Sequence, residues 1–234
     1  MAWNLEEKNG GSVRMVQFPL PGQPVPVVKI LIPHTGSWTS EFTERMLIPL
    51  QSHTSDLEKY VIFGRGTPLD VQRNSMVVEA LKDSRTTHVL FGDSDMVCEK
   101  PPDPNDALKL LIACNAPIVS GLYRAKRRDG FPYAMWTKTA DGGYANTLSW
   151  TPEGSNWVKV DSIGMGFCLI KREVFEKVPY PWFVWDNLEP SEDFYFCEKV
   201  KQYGYEVRVF TDVRLSHIGV LKVKSDGTVT VLDM

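Results

Sequence analysis

No stretch of this 234-residue chain approaches the roughly 18 consecutive apolar residues that a bilayer-spanning helix requires. Its first residues, MAWNLEEKNGG, carry neither a basic region nor an apolar signal core. Cysteine is scarce: Cys98, Cys114, Cys168 and Cys197 stand far apart, with no CxxC pair and no zinc-type spacing. Three of them fall within apolar runs, so they read as reduced thiols, and a reducing, cytoplasmic setting is the expectation. Basic charge is not in excess. A net charge of -3 argues against a protein that holds nucleic acid through its backbone phosphates. Neither a GxGxxG turn nor a P-loop follows the first strand candidate, which removes both the dinucleotide fingerprint and the ATPase loop.

What is present is an ordinary globular composition, 43% hydrophobic and 24% charged, enough for one large core and too short for two comfortable domains. Residues 1–26 contain two glycines and then PLPGQPVP, a stretch unsuited to a helix, and read as an extended arm. Val27 to Ile32 (VVKILI) is a buried-strand candidate closed by Pro33 and a polar loop, His34 to Trp38. A helix capped by Thr39 or Ser40 follows, then a short strand, Tyr60 to Phe63, and a helix, Leu69 to Lys82, with Arg73 and Asn74 opposite its apolar stripe. A strand ending at Gly92, a helix from Asn105 to Cys114 and the strand Ile118 to Leu122 complete an alternation that predicts a mostly parallel sheet covered on both faces.

Beyond Leu122 lie the basic stretch YRAKRRDG, strands separated by Asp141-Gly142-Gly143, and further strands around Ser-Ile-Gly-Met-Gly. Five tryptophans, 136, 150, 157, 182 and 185, fall in this half; most are expected to be packing residues, with one or two exposed. A short helix, Lys171 to Val178, precedes the helix SEDFYFCEKVKQY, capped by Ser191 and closed by Gly204. A strand, Glu206 to Phe210, leads to a segment containing His217, and residues 220–234 form a tail or hairpin turning at Ser225-Asp226-Gly227.

Chemistry concentrates in THVLFGDSDMV, where a buried strand delivers Asp93 and Asp95 at its carboxyl end, the edge at which open α/β sheets bind ligands. Mg²⁺ or Mn²⁺ is commonly held by one or two carboxylates together with substrate phosphates, so the pair fits a metal-diphosphate clamp. The same turn is also explained by Gly, Ser and Asp chemistry alone. Glu192 and Asp193, in the first turn of a helix, likewise have two readings, as acids complementing the helix dipole or as a catalytic pair.

The ordered set Asp93-Ser94-Asp95, GMGFCLIKREVF, Glu192-Asp193 and His217 resembles glycosyltransferases of the GT-A fold, particularly family 2-like enzymes that use nucleotide-diphosphate sugars. The resemblance implies a three-layer α/β/α sandwich over residues 27–219, with a nucleotide-binding half at 27–122 and an acceptor and catalytic half at 123–219. It implies a hexosyltransferase-type enzyme using a UDP- or GDP-sugar and Mn²⁺ or Mg²⁺ to glycosylate a hydroxyl on a glycan, protein or lipid. By position it places Asp95, Asp93 and His217 at the metal and Pro33, His34, Arg73, Asn74, Asp93 and Ser94 at the donor. It makes Asp193, beside Glu192, the base of an inverting displacement, although the fold permits retention too. The charge of YRAKRRDG has two readings apart from the resemblance, a diphosphate clamp through Arg124, Lys126 or Arg127 or a merely solvated loop. The alternatives are a sugar-phosphate nucleotidyltransferase, which normally carries a Gly-rich basic first loop that Pro33 to Ser37 lacks, and a non-catalytic carbohydrate-binding protein of the same fold.

Overall fold

The computed structural model describes residues 5–7, 13–15, 24–66, 68–99, 102–126, 131–147, 156–185, 190–218 and 221–231. Arg127 and Trp150, singled out in the sequence, lie outside them. Two short strands, β1 (Leu5–Glu7) and β2 (Val13–Met15), pair antiparallel as a separate ribbon. The main sheet opens with β3 (Val27–His34). This strand passes Ile32, where the sequence places its end. Beyond Leu31 its only partner among the described residues is β4, and such an edge position tolerates Pro33, which has no N–H to give a second neighbour.

Thr39 caps the next helical run, accepting from the Phe42 N–H at 3.1 Å; the run comprises α1 (Ser40–Phe42), a wider π-helical turn (Thr43–Leu47) and α2 (Ile48–Gln51). Then come β4 (Glu58–Arg65), α3 (Leu69–Leu81), β5 (His88–Gly92), β6 (Met96–Cys98), α4 (Pro104–Ala113) and β7 (Ile118–Leu122). The second half adds β8 (Met135–Lys138), β9 (Tyr144–Asn146), β10 (Trp157–Val160), β11 (Ser162–Ile163), β12 (Phe167–Lys171) and α5 (Arg172–Lys177). It ends with α6 (Glu192–Gln202), β13 (Val207–His217), β14 (Leu221–Val223) and β15 (Val229–Val231). None of the described helices is long and apolar enough to cross a membrane.

The main sheet has the order β15-β14-β13-β7-β12-β5-β3-β4. β3, β4 and β5 run parallel to one another, as do β7 and β13, and β12 is reversed between β5 and β7. The arrangement is the expected mostly parallel sheet. Side chains alternate across it. Ile30, Ile32, Leu90 and Val119 pack beneath Phe42, Met46, Leu50, Leu108 and Leu111, while Leu31, Val89, Phe91 and Ile118 pack against Met76, Val77, Phe175, Phe196 and Val200. Each such fully buried side chain contributes about 1.5–3 kcal/mol, so both helical layers are held by apolar burial.

The helix α6 stops as its sequence directs: the Tyr205 N–H bonds the Val200 carbonyl, the Gly204 N–H bonds that of Lys201, and Gly204 takes the positive φ of 83° that this motif requires. Its start departs from expectation. Ser191 stands at the cap position, yet its hydroxyl makes no bond to the helix backbone and donates instead to Asp193. Gly164 and Gly166 also differ from the turn formers that the sequence implies: a Cβ on Gly164 would lie 2.3 Å from the Tyr123 hydroxyl, and that hydroxyl accepts the Gly166 N–H at 2.9 Å. These glycines admit a buried tyrosine.

Candidate active site

The carboxyl ends of β3, β4, β5 and β7 share one edge of the sheet, and among the described candidates Pro33, His34, Arg73, the Asp93-Asp95 turn, Glu192 and His217 gather at or just beneath it. At the end of β5 the Asp93 N–H continues the ladder to the Gly166 carbonyl at 2.9 Å, and the Asp93 carbonyl accepts the Met96 N–H at 3.1 Å. Asp93, Ser94 and Asp95 therefore form a tight turn into β6. Register supplies the next residue. β13 bends at an irregularity between Phe210 and Arg214, leaves β7 and pairs antiparallel with β6, setting His217 opposite Met96; the Ile218 N–H then bonds the Asp95 carbonyl at 2.7 Å. His217, which the sequence places after its strand, is the last residue of a longer one.

The His217 ring is held at both nitrogens. Nδ1 lies 3.1 Å from the Arg124 carbonyl, which can only accept, so Nδ1 carries a proton. Nε2 lies 2.9 Å from Asp95 Oδ2. In a neutral ring two lone pairs would face each other there; the contact calls for a cation between them, either a proton or a metal ion. Burial opposes ionisation of Asp95, but the hydrogen bond and charge of His217, then Lys126, outweigh it and lower its pKa. Asp93 goes the other way. Its burial, with the neighbouring Asp95 charge, exceeds the opposing pull of Arg73 and raises its pKa.

Arg73 is the hub behind this turn. The sequence places it on the polar side of α3; it is instead only 2% exposed. Its Nε donates to Glu192 at 3.1 Å, one terminal nitrogen donates to Asp93 at 3.2 Å, and the guanidinium lies 5.1 Å from the centre of the Phe91 ring. The other terminal nitrogen is buried and unpartnered among the described residues. Arg73 thus ties the Asp-x-Asp turn to the first residue of α6. Glu192, which accepts from Arg73 through one oxygen, is 3% exposed. Asp193, next along, accepts from Ser191 and from the Phe194 N–H at 3.0 Å; burial, then the charge of Glu192, push its pKa up to about 6 against the opposing Ser191 and Arg73.

Asn74, which the resemblance places at the donor, turns its side chain to backbone groups. Its amide oxygen accepts the N–H groups of Trp182 and Phe183 at 2.9 and 3.2 Å, and its nitrogen donates to the carbonyls of Phe183 and Asp70. All its capacity goes to the backbone, which makes it a clamp on residues 182–183. Asn74→Ala is expected to lose about 2–3 kcal/mol, the scale of leaving buried backbone groups unpaired, with nucleotide affinity unchanged. Urea unfolding reads the first, and a fall in affinity at unaltered stability would restore a donor contact. Asp93 is tied to Arg73, and among the described residues no three His, Cys, Asp or Glu side chains gather to hold a metal.

Pro33, His34, Asp93, Ser94 and Asp95 line a single cleft of about 570 Å³, together with Leu69, Gln72, Trp38 and Ile218. Trp38 was missed. It stacks on Phe63 with ring centres 5.4 Å apart, meets His34 edge-on at 5.0 Å and stays 36% exposed. The available signal was an aromatic residue in the polar loop directly after the first strand. Of the tryptophans in the second half, Trp136 and Trp182 are buried and Trp185 is exposed. Arg124 does not face the cleft as a free clamp: its guanidinium bonds the carbonyls of Ser225 and Phe131 and lies 4.1 Å from the Tyr133 ring centre.

No family model matches the chain, and no curated protein matches it in sequence. Solved structures do match in shape. A197 from STIV superposes with a TM-score of 0.63 at 21% identity, covering 89% of this chain and 95% of that one. GalNAc-T7, crystallised with UDP, GalNAc and Mn²⁺, gives 0.57 at 14% identity, covering 83% of this chain but only 44% of its own. At such identities the likeness speaks for the fold. The chain has a GT-A-like α/β fold, as its motifs imply.

Proposed function

We propose that this protein is a metal-dependent glycosyltransferase, transferring a sugar from a nucleotide-diphosphate donor to a hydroxyl acceptor with inversion. The observation that carries the reading is the contact of Asp95 with a His217 ring whose other nitrogen is fixed by a carbonyl, a carboxylate and an imidazole nitrogen converging where a cation belongs. Oxygen and nitrogen ligands suit Mn²⁺ and Mg²⁺, and with only these two side chains the remaining positions fall to donor phosphate oxygens and water. Bound there, the ion would supply charge neutralisation for the departing diphosphate. GalNAc-T7, which shares the fold, was crystallised with UDP, GalNAc and Mn²⁺, and this supports the choice of donor class and metal.

The protein's own groups divide the remaining work. The cleft walls, with Trp38 and His34 at one end and Asp93 to Asp95 at the other, hold the donor. Asp193, poised near pKa 6, takes the acceptor's hydroxyl proton as that oxygen attacks the anomeric carbon and the bond from carbon to phosphate oxygen breaks. Arg73 neutralises Glu192 beside it, so that one carboxylate of the pair remains free to act. A reducing, cytoplasmic setting belongs to the same reading, supported by four unpaired cysteines, of which Cys98 and Cys197 have thiols pushed up to about 12 by burial.

The test is thermal stability of wild type and Asp95→Ala against UDP, GDP and their sugar conjugates, with and without Mn²⁺. A ligand at a hundredfold excess over its Kd stabilises by about 2.7 kcal/mol, or about 5–11 °C in a protein of this size. The expected result is a metal-dependent rise with one nucleotide in the wild type and none in Asp95→Ala. No rise with any nucleotide at millimolar concentration, or an equal rise in the mutant, would sink the reading.

A further inference from the structure

His217 does not face Asp95 alone. The Lys126 ammonium lies 3.2 Å from the same Oδ2 and also donates to the Ile218 carbonyl. Three features of this lysine matter. It sits two residues beyond Arg124, whose side chain is anchored to Ser225, Phe131 and Tyr133, so its backbone starts from a fixed point. Its side chain is long, flexible and 29% exposed, so the ammonium can leave without disturbing the sheet. The oxygen it holds is the one that a metal bound with His217 would take, and a divalent ion repels an ammonium at hydrogen-bond range.

We infer that Lys126 is a displaceable counter-ion: it holds Asp95 while the donor site is empty, is expelled when a divalent cation claims that oxygen, and swings onto the non-bridging oxygens of the donor's diphosphate. The inference rests on the metal and donor reading above and adds an order to the binding events. Metal arriving alone competes with an internal cation and gains little. Metal arriving with a nucleoside diphosphate gives the ammonium a new anion, so the two ligands bind cooperatively, their coupling set by the same free energy in either order.

The experiment is direct measurement of Mn²⁺ binding, from the free-ion electron paramagnetic resonance signal, in wild type, Lys126→Met and Asp95→Ala. Methionine keeps the stem and removes the charge. Without nucleotide, Lys126→Met is expected to bind Mn²⁺ about tenfold more tightly than wild type, a change of about 1.4 kcal/mol. With saturating Mn²⁺, it is expected to bind UDP or GDP, whichever stabilises the wild type, about tenfold more weakly. Mn²⁺ affinity that is unchanged or weaker in Lys126→Met, while Asp95→Ala abolishes binding, overturns the counter-ion and leaves the metal reading standing. Absence of Mn²⁺ binding in both wild type and Lys126→Met overturns the two together. Tighter metal with unchanged diphosphate affinity overturns the transfer of the ammonium to the donor.

Discussion

Replacing Asp193 with asparagine is expected to lower turnover by about 10²–10⁴-fold, the usual contribution of a positioned general base, with donor affinity within about twofold of wild type. Asparagine can still accept from Ser191 and from the Phe194 N–H through its amide oxygen, so the start of α6 keeps its local bonds. The pH profile sharpens the test. Because burial and the Glu192 charge push the Asp193 pKa up to about 6, wild-type turnover should climb as pH rises through 6 and level off above it, while the residual turnover of the mutant should lose that step. Stability carries the opposite sign. A carboxyl whose native pKa lies above its unfolded value holds its proton more firmly when folded, so its contribution is present below the ordinary carboxyl pKa and lost as pH rises toward 6. Asp193→Asn should therefore be at least as stable as wild type at pH 7. Single-turnover kinetics and urea unfolding from pH 4.5 to 8 check both; unchanged transfer, or a profile with the same step in the mutant, would remove Asp193 from the base role.

The largest stability effect is expected at Arg73. Arg73→Met leaves Glu192 buried with its carboxylate unmatched and strips Asp93 of its partner, a situation that costs about 3–5 kcal/mol, in a protein whose total stability is of order 5–15 kcal/mol. Arg73→Lys should recover little, because one ammonium cannot bridge Glu192 and Asp93 and also lie flat near the Phe91 ring. Adding Glu192→Gln to Arg73→Met should recover a clear share, since it removes the buried charge that the first change exposed. A double-mutant cycle by urea unfolding reads all of this. A loss below 1 kcal/mol in the single mutant would mean that the buried arrangement does not hold in solution.

Locally encoded features were legible and tertiary ones were not. The strand that ends at Gly92 just before Asp93, the strand Ile118–Leu122, the helix closed by Gly204 and the hairpin turn at Ser225-Asp226-Gly227 all follow from residues within a few positions of one another. Asn74 shows the limit. Its position on α3 was readable, but the segment that it clamps lies 108 and 109 residues away, so nothing nearby signals its role. The burial of Arg73 was hidden for a similar reason, because a helix's polar side is assumed to meet water, and here α6 covers it with a carboxylate. Gly164 and Gly166 carry the composition of a turn, while their reason is the girth of Tyr123, which the topology brings against them. The lysine in YRAKRRDG stood among phosphate-clamp candidates from charge alone; its attachment to Asp95 depends on where β13 ends.

The hairpin of β14 and β15, which reads in sequence as a tail or hairpin, braces the Asp95–His217 corner. Glu99 bonds the Ser225 N–H and hydroxyl, Arg124 bonds the Ser225 carbonyl, and Arg124 in turn offers its own carbonyl to His217. These links span wide gaps in the chain: 126 residues from Glu99 to Ser225, 122 from Asp95 to His217, 119 from Arg73 to Glu192. Contacts of such separation close the longest loops and are slow to form, whereas β3, α3 and β5 can meet early through short ones. On a ribosome, Asp93 and Asp95 emerge long before β13 and its last residue, His217. For that interval the cleft lacks the wall that Ile218 supplies, and the proposed donor site is completed only when β13 joins the sheet.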